Sequence, residues 1–208
     1  MKDKNKETMN LKNNKMKKKD KKTIKAKKVK ISNDPKVPRQ RGKFNIFKVR
    51  REFKLIPLLI NTLIPVLGGA FVGYLNRNTM DTYETLKKPF FTPSNIVFPV
   101  VWTILYILMG IAAYRIFMRN KQGIDDKGGY FFYLVQIIIN FLWSFIFFTF
   151  RLYGISFIVL VILLIFILIT FIKFIKIDRL AGFLLIPYLI WVSFAGILNF
   201  LIWALNEM

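Results

Sequence analysis

Five stretches of this chain are long and apolar enough to cross a bilayer, which takes about 20 residues at a helical rise of about 1.5 Å each. They lie near residues 55–75, 96–114, 130–150, 152–172 and 180–205. The expected fold class is therefore an all-α integral membrane protein, a five-transmembrane-helix bundle. Composition agrees: of 208 residues, 54% are hydrophobic and 22 are Phe, outside the range of soluble domains. Pro57 and Pro65 fall in the first span, and Pro187 and Asn199 in the fifth. Membrane helices tolerate such residues because neighbouring helices satisfy the freed backbone groups. An odd number of spans places the two termini on opposite sides.

Cysteine and histidine are both absent. Disulfides, thiol nucleophiles, thiolate metal sites and the usual catalytic base are excluded with them. Asp81, Glu84, Asp125, Asp126, Asp178 and Glu207 all lie outside the five spans. A proton pump built on an intramembrane carboxylate is therefore not expected. No catalytic residue, metal ligand or cofactor emerges from the residues.

Charge divides the chain into two expected units, an arm over residues 1–54 and a membrane domain over 55–208. The arm holds 22 Lys/Arg and 5 acids, a net of +17; the rest holds 11 and 6, a net of +5. So Lys-rich a segment cannot bury a core and should be disordered. It suits a polybasic contact with anionic lipid, at about 1 kcal/mol per basic residue near the surface. Nucleic acid is a weaker candidate partner, and an arm that only fixes topology is the plain alternative. The apolar run after it is a full span rather than a signal peptide. The positive-inside rule then puts the N-terminus in the cytoplasm and the C-terminus outside, in a multi-pass protein of the cell membrane. Arg115, Arg119, Lys121, Lys127, Lys173, Lys176 and Arg179 in the 2–3 and 4–5 connections agree.

The loop from Asn76 to Asn95 is the longest connection of the membrane domain. Pro89 and Pro93 set a stiff, extended path, and Phe90 and Phe91 between them suggest a lid docked over the bundle. Three spans carry stripes on one helical face. Trp102, Tyr106, Met109 and Ala113 form one, Gln136, Asn140, Trp143 and Phe147 the next, and Tyr188, Trp191, Ala195 and Asn199 the third. An unpartnered amide at membrane depth costs several kcal/mol, so Gln136, Asn140 and Asn199 need partners, from neighbouring helices or from a ligand. Three amides sharing faces with Trp and Tyr favour a cavity. Trp203, Tyr130 and Tyr153 fit an interfacial belt instead. Gly69 and Gly73 make a GxxxG pair suited to close helix packing or dimerisation.

These residues also carry a family pattern. Tyr83-x-x-Leu86-x-Lys88-Pro89-x-Phe91-x-Pro93, Phe98 and Trp102-Thr103-x-Leu105-Tyr106-x-x-Met109-Gly110 resemble the tryptophan-rich sensory protein/translocator protein family. So do Gln136-x-x-x-Asn140-x-x-Trp143 and Pro187-Tyr188-Leu189-x-Trp191-x-x-Phe194-Ala195-x-x-Leu198-Asn199. The resemblance implies a five-helix bundle, commonly a homodimer, with a cavity closed by the 1–2 loop. It implies porphyrins and related tetrapyrroles, isoquinoline- or benzodiazepine-type drugs and, in animals, cholesterol as ligands. Carried over position by position, the pocket would use Tyr83, Pro89, Phe98, Trp102, Tyr106, Asn140, Trp143, Trp191 and Ala195. Phe91 and Asn199 join them from the loop and the third stripe. The chain departs from the pattern at Thr82, Ser94, Ile96, Ile155 and Phe200-Leu201, where aromatic or proline residues are usual. The sterol motif is not met.

The expected function is a membrane receptor, sensor or translocator of tetrapyrrole-like or other flat hydrophobic molecules. A porphyrin-degrading enzyme at the same cavity is the alternative, with Trp or Tyr redox chemistry in place of acid–base residues. A structural or partner-binding membrane protein is the third reading.

Overall fold

The computed structural model describes residues 45–49, 52–121, 123 and 127–208, without the side chains of residues 80–82 and 127. The basic arm up to residue 44 lies outside the described residues. The elements are α1 (Leu55–Leu75), a 3-10 turn (Arg77–Thr79), α2 (Met80–Thr85), α3 (Val97–Lys121), α4 (Lys127–Ser144) running into a π turn (Phe145–Thr149), α5 (Tyr153–Ile177), α6 (Arg179–Phe183) and α7 (Ile186–Asn206). Five of the resulting helical runs are long and apolar enough to span a membrane: α1, α3, α4 with its π turn, α5, and α6 with α7. The five-span bundle expected from the sequence is the architecture found.

Helix ends extend past the apolar stretches. The second span continues to Lys121 and the fourth to Ile177, beyond the expected ends near 114 and 172. Arg115, Arg119, Lys173 and Lys176 close the apolar stretch but do not break a helix, because Arg and Lys are good helix formers. The fifth span is interrupted between Phe183 and Ile186, where Leu185 caps α7 and Pro187 takes a first-turn position that needs no amide donor.

Packing runs α1 along α3, α4 along α5 and α5 along α7, while α1 meets α4 only over a short stretch. Lipid supplies no hydrophobic drive between helices, so close backbone approach matters. Gly110 of α3 provides it against α1: a Cβ there would overlap Thr62 Cα and stand 2.8 Å from Asn61 O. Pro65 lacks the amide that would bond that carbonyl in a regular helix. Gly69 serves the same purpose within the chain, since a Cβ there would overlap the Tyr106 ring. Half of the GxxxG pair is thus used inside the fold, and a Cβ on Gly73 would have nothing within 4 Å. The outward faces, including Leu59, Leu63, Leu67 and Phe71 of α1 and Ile155, Ile158, Ile162 and Ile165 of α5, are exposed and apolar, as lipid contact requires.

The two ends differ in chemistry. At the end where α1 starts, Arg115 clamps Asp178 through Nε to Oδ1 (2.9 Å) and Nη2 to Oδ2 (2.8 Å). Its Nη1 donates to Ile46 O at 2.7 Å, and Tyr114 Oη donates to Phe47 O at 3.2 Å while accepting from Lys54 N at 3.1 Å. Val49 is buried beside Tyr114 and Met118. The described residues between 45 and 54, which the charge boundary assigns to the arm, therefore pack on the bundle. Asp178 also caps α6 by accepting from Ala181 N at 3.0 Å. Spacing along the chain did not foretell this ion pair, because its partners lie 63 residues apart.

At the other end, the 76–95 connection is fastened to α7 by Lys87 N donating to Asn206 Oδ1 and Asn206 Nδ2 donating to Lys87 O, both at 3.0 Å. Its course differs from the extended path expected. Thr92 N donates to Pro89 O at 3.0 Å, closing a turn that sends its two phenylalanines in different directions. Phe91 leans on Phe194, with ring centroids 6.2 Å apart, and is 38% exposed; Phe90 at the turn's tip is 99% exposed. The expected burial of Phe90 is thus corrected: it occupies the outward corner of a proline-initiated turn.

Candidate functional site

A cavity of about 530 Å³ lies between α1, α3 and α4. That volume is within the range of about 300–1,000 Å³ usual for small-molecule sites. Small residues on α1, namely Gly69, Ala70 and Gly73, make the room. Facing them, Phe98 and Trp102 project from the first turns of α3, Tyr106 lies one turn deeper, and Asn140 and Trp143 come from α4. The i, i+4 spacing of Trp102 and Tyr106 puts them on one face, where their rings stack at 5.5 Å and 28°. Trp143 stands 6.4 Å from Trp102 and stacks on Phe147 at 5.5 Å. The result is a rigid aromatic wall suited to a flat apolar molecule.

The π turn shapes this wall. One extra residue in the last turn of the third span puts Phe147 below Tyr83, at 6.0 Å, and Phe148 into the cavity lining. Such turns inside α-helices are frequent at functional positions. No pattern in the sequence marks it.

Polar groups behind the wall are joined to one another. Tyr106 Oη donates to Asn140 Oδ1 at 2.9 Å, Asn140 Nδ2 to Tyr188 Oη at 3.0 Å, and Tyr188 Oη to Gln136 Oε1 at 2.8 Å. Asn199 accepts from Trp143 Nε1 at 3.1 Å and Ser156 Oγ at 2.9 Å, and donates to Tyr153 O at 2.9 Å. The partners of Asn140 and Asn199 are therefore protein groups, as interhelical bonding requires. Gln136 Nε2 and Trp191 Nε1 are buried with no hydrogen-bond partner among the described residues.

The eleven residues singled out from sequence and resemblance divide by place. Phe98, Trp102, Tyr106, Asn140 and Trp143 line the cavity. Tyr83, Ala195 and Asn199 meet Phe98 and Trp143 around a neighbouring void of about 20 Å³, too small for an organic ligand. Phe98, Trp143 and Phe148 border both spaces. Trp191 packs between Phe98 (5.9 Å) and Phe194 (5.5 Å), while Pro89 and Phe91 line neither space. Tyr83 lies on α2, outside the spans, and burial pushes its hydroxyl up to about 12, so the group is a neutral donor. Its Oη has no partner among the described residues.

Sequence reasoning missed the α1 wall and the two lining residues that follow it, buried Asn76 and exposed Arg77. Gly69 and Gly73 carried the available signal, but a pair of small residues reads first as a packing motif. Arg77 sits two residues past the end of α1, with its guanidinium carbon 3.8 Å from the Tyr74 ring centre.

Comparison with known proteins places this arrangement. The family model described as TspO/MBR family matches residues 61–204. The chain is 42% identical to Protein CrtK of Rhodobacter capsulatus over 127 residues, which is 60% of this chain and 78% of that protein. It is 35% identical to the tryptophan-rich protein TspO of Archaeoglobus fulgidus over 152 residues, covering 71% of this chain and 96% of the archaeal one. With the translocator protein of Bos taurus it shares 30% over 159 residues, 74% of this chain and 92% of the bovine protein. Since the match enters all five spans and includes both walls of the cavity, the chain belongs to the TspO/MBR family.

Proposed function

We propose that this protein is a membrane receptor or translocator that binds flat hydrophobic molecules, tetrapyrroles among them, in the cavity between α1, α3 and α4. The observation that carries the reading is the pairing of a stacked Trp102–Tyr106 wall with the small-residue face of α1 across about 530 Å³. Names of relatives, a tryptophan-rich sensory protein of Cereibacter sphaeroides and translocator proteins of mammals, support the same class. A ligand would lie flat against Trp102 and Tyr106 and exclude water from the wall. Titration of the detergent-solubilised protein with protoporphyrin, followed by Trp fluorescence, tests this. Saturable quenching is expected, with affinity reduced about tenfold or more in Trp102→Ala, the scale of one lost aromatic contact. Quenching that never saturates, or an unchanged affinity in the variant, counts against the cavity.

The reading includes an orientation. Residues 45–54 would lie on the cytoplasmic side, with the basic arm against anionic lipid of the cell membrane and the C-terminus outside. Support comes from Arg115, Arg119, Lys121, Lys173, Lys176 and Arg179 gathering at the end where α1 begins. The chain has no cysteine, so a single introduced thiol reports its side without background. Cysteine at Met208 should react in intact cells with a membrane-impermeant maleimide, and cysteine at Asn45 should not. The opposite labelling would reverse the assignment.

A further inference from the structure

We propose that Arg77 is a specificity residue of this cavity, selecting flat apolar ligands that carry a carboxylate on one edge. The inference rests on the cavity being a ligand site, and it names the chemistry that site prefers. Among the described residues lining the cavity, Arg77 has the one charged side chain. It is exposed, in the 3-10 turn after α1, and shares the lining with Phe98 and Pro99 at the start of α3.

Most other polar side chains of the lining are already engaged. Asn76 donates to Val72 O (3.0 Å) and Ser144 Oγ (3.2 Å) and accepts from Thr149 Oγ1. Thr103 Oγ1 donates to Pro99 O at 2.8 Å. Tyr106, Asn140 and Trp143 are committed to the internal network. A ligand's polar edge would therefore find few free partners in the body of the cavity.

Arg77 differs. Nη1 makes one long bond to Tyr74 O at 3.4 Å, and the guanidinium plane rests over the Tyr74 ring. Among the described residues no carboxylate pairs with it, and its other N–H groups are unspent. Guanidinium offers five donors in a planar fork that fits a carboxylate with two parallel bonds. The ring beneath limits the orientations the fork takes, which lowers the entropy cost of binding. An apolar ligand body seated on Trp102 and Tyr106, with its acid edge at Arg77, meets both halves of this arrangement. A neutral sterol-like molecule meets only one.

The test compares protoporphyrin with its dimethyl ester in neutral detergent, which removes the edge charge and keeps the flat ring system. The native protein should bind the diacid roughly tenfold more tightly than the ester, the scale of one charge-assisted pair in a partly wet site. Arg77→Gln should bring that ratio close to one by weakening the diacid about tenfold while the ester loses far less, and Arg77→Lys should keep part of the preference. Ester binding retained in Arg77→Gln also reports that the variant cavity is intact. A ratio that stays high in Arg77→Gln assigns the preference to other cations at this end and overturns the proposal. Equal binding of both ligands by the native protein overturns it too, while leaving the cavity reading in place. Loss of both ligands alike in Arg77→Gln contradicts a role confined to the carboxylate. No binding of either ligand by the native protein removes the cavity reading and this proposal together.

Discussion

Among single residues, Asp178 has the most to do away from the cavity. Its carboxylate caps α6, holds Arg115 in two bonds and receives Arg119 Nε at 3.4 Å. Burial alone would raise its pKa, but the Arg115 and Ala181 hydrogen bonds and the two arginine charges outweigh that and hold it below the ordinary 3.8. A group whose pKa is depressed by folding contributes its full stability above the unfolded value. The contribution is lost only as pH falls below 3.8 toward the lower folded value. Asp178→Asn keeps an acceptor for Ala181 but leaves Arg115 buried without a counter-charge, at a cost of about 3–5 kcal/mol. Thermal unfolding in detergent, from neutral pH down to about 3, should show a lowered midpoint and loss of the acid-dependent step. A variant that melts like the native protein at neutral pH would show that the pair contributes little.

At the scale of elements, the 76–95 connection is fastened to the end of the bundle opposite residues 45–54. Its anchors are the Lys87–Asn206 pair, Asn95 Nδ2 donating to Glu84 Oε1 at 2.6 Å, and Phe91 against Phe194. Phe194 in turn supports Trp191, which packs on Phe98 of the cavity wall. Phe91→Ser should therefore loosen the loop and raise the ligand off-rate several-fold, because a half-exposed Phe retains about half of the roughly 1.5–3 kcal/mol of full burial. Stopped-flow displacement of protoporphyrin measures this directly, and an off-rate equal to the native one would show that the loop is no lid. The spans themselves were legible because apolar length alone specifies them, and the three stripes because Trp, Tyr and amides recur at helical spacing. The turn that exposes Phe90, the π turn that redirects Phe148 and the break before α7 were not legible. Each depends on which backbone carbonyl accepts a bond, and several carbonyls compete within one residue of each other. The helix ends at Lys121 and Ile177 were missed for a simpler cause: hydropathy reports where lipid stops, not where the helix does.

For the whole molecule, the uneven packing of α1 makes the cavity. It lies close along α3 through Gly69 and Gly110 yet barely meets α4, and the cavity fills the difference. Tryptophans and amides in the sequence point to the α3, α4 and α7 faces, whereas the space itself depends on what α1 lacks. The most direct measurement therefore adds a side chain where there is room and asks whether binding survives. Gly73 lines the cavity, and a Cβ added there would meet no atom within 4 Å, so the side chain of Gly73→Phe starts in open space. Leu63→Phe, on the exposed face of the same helix, is the control. Equilibrium binding of protoporphyrin, read by its absorbance on the purified protein, should fall at least tenfold in Gly73→Phe and stay unchanged in Leu63→Phe, with both variants folded by circular dichroism. Native affinity in a folded Gly73→Phe protein would contradict the account.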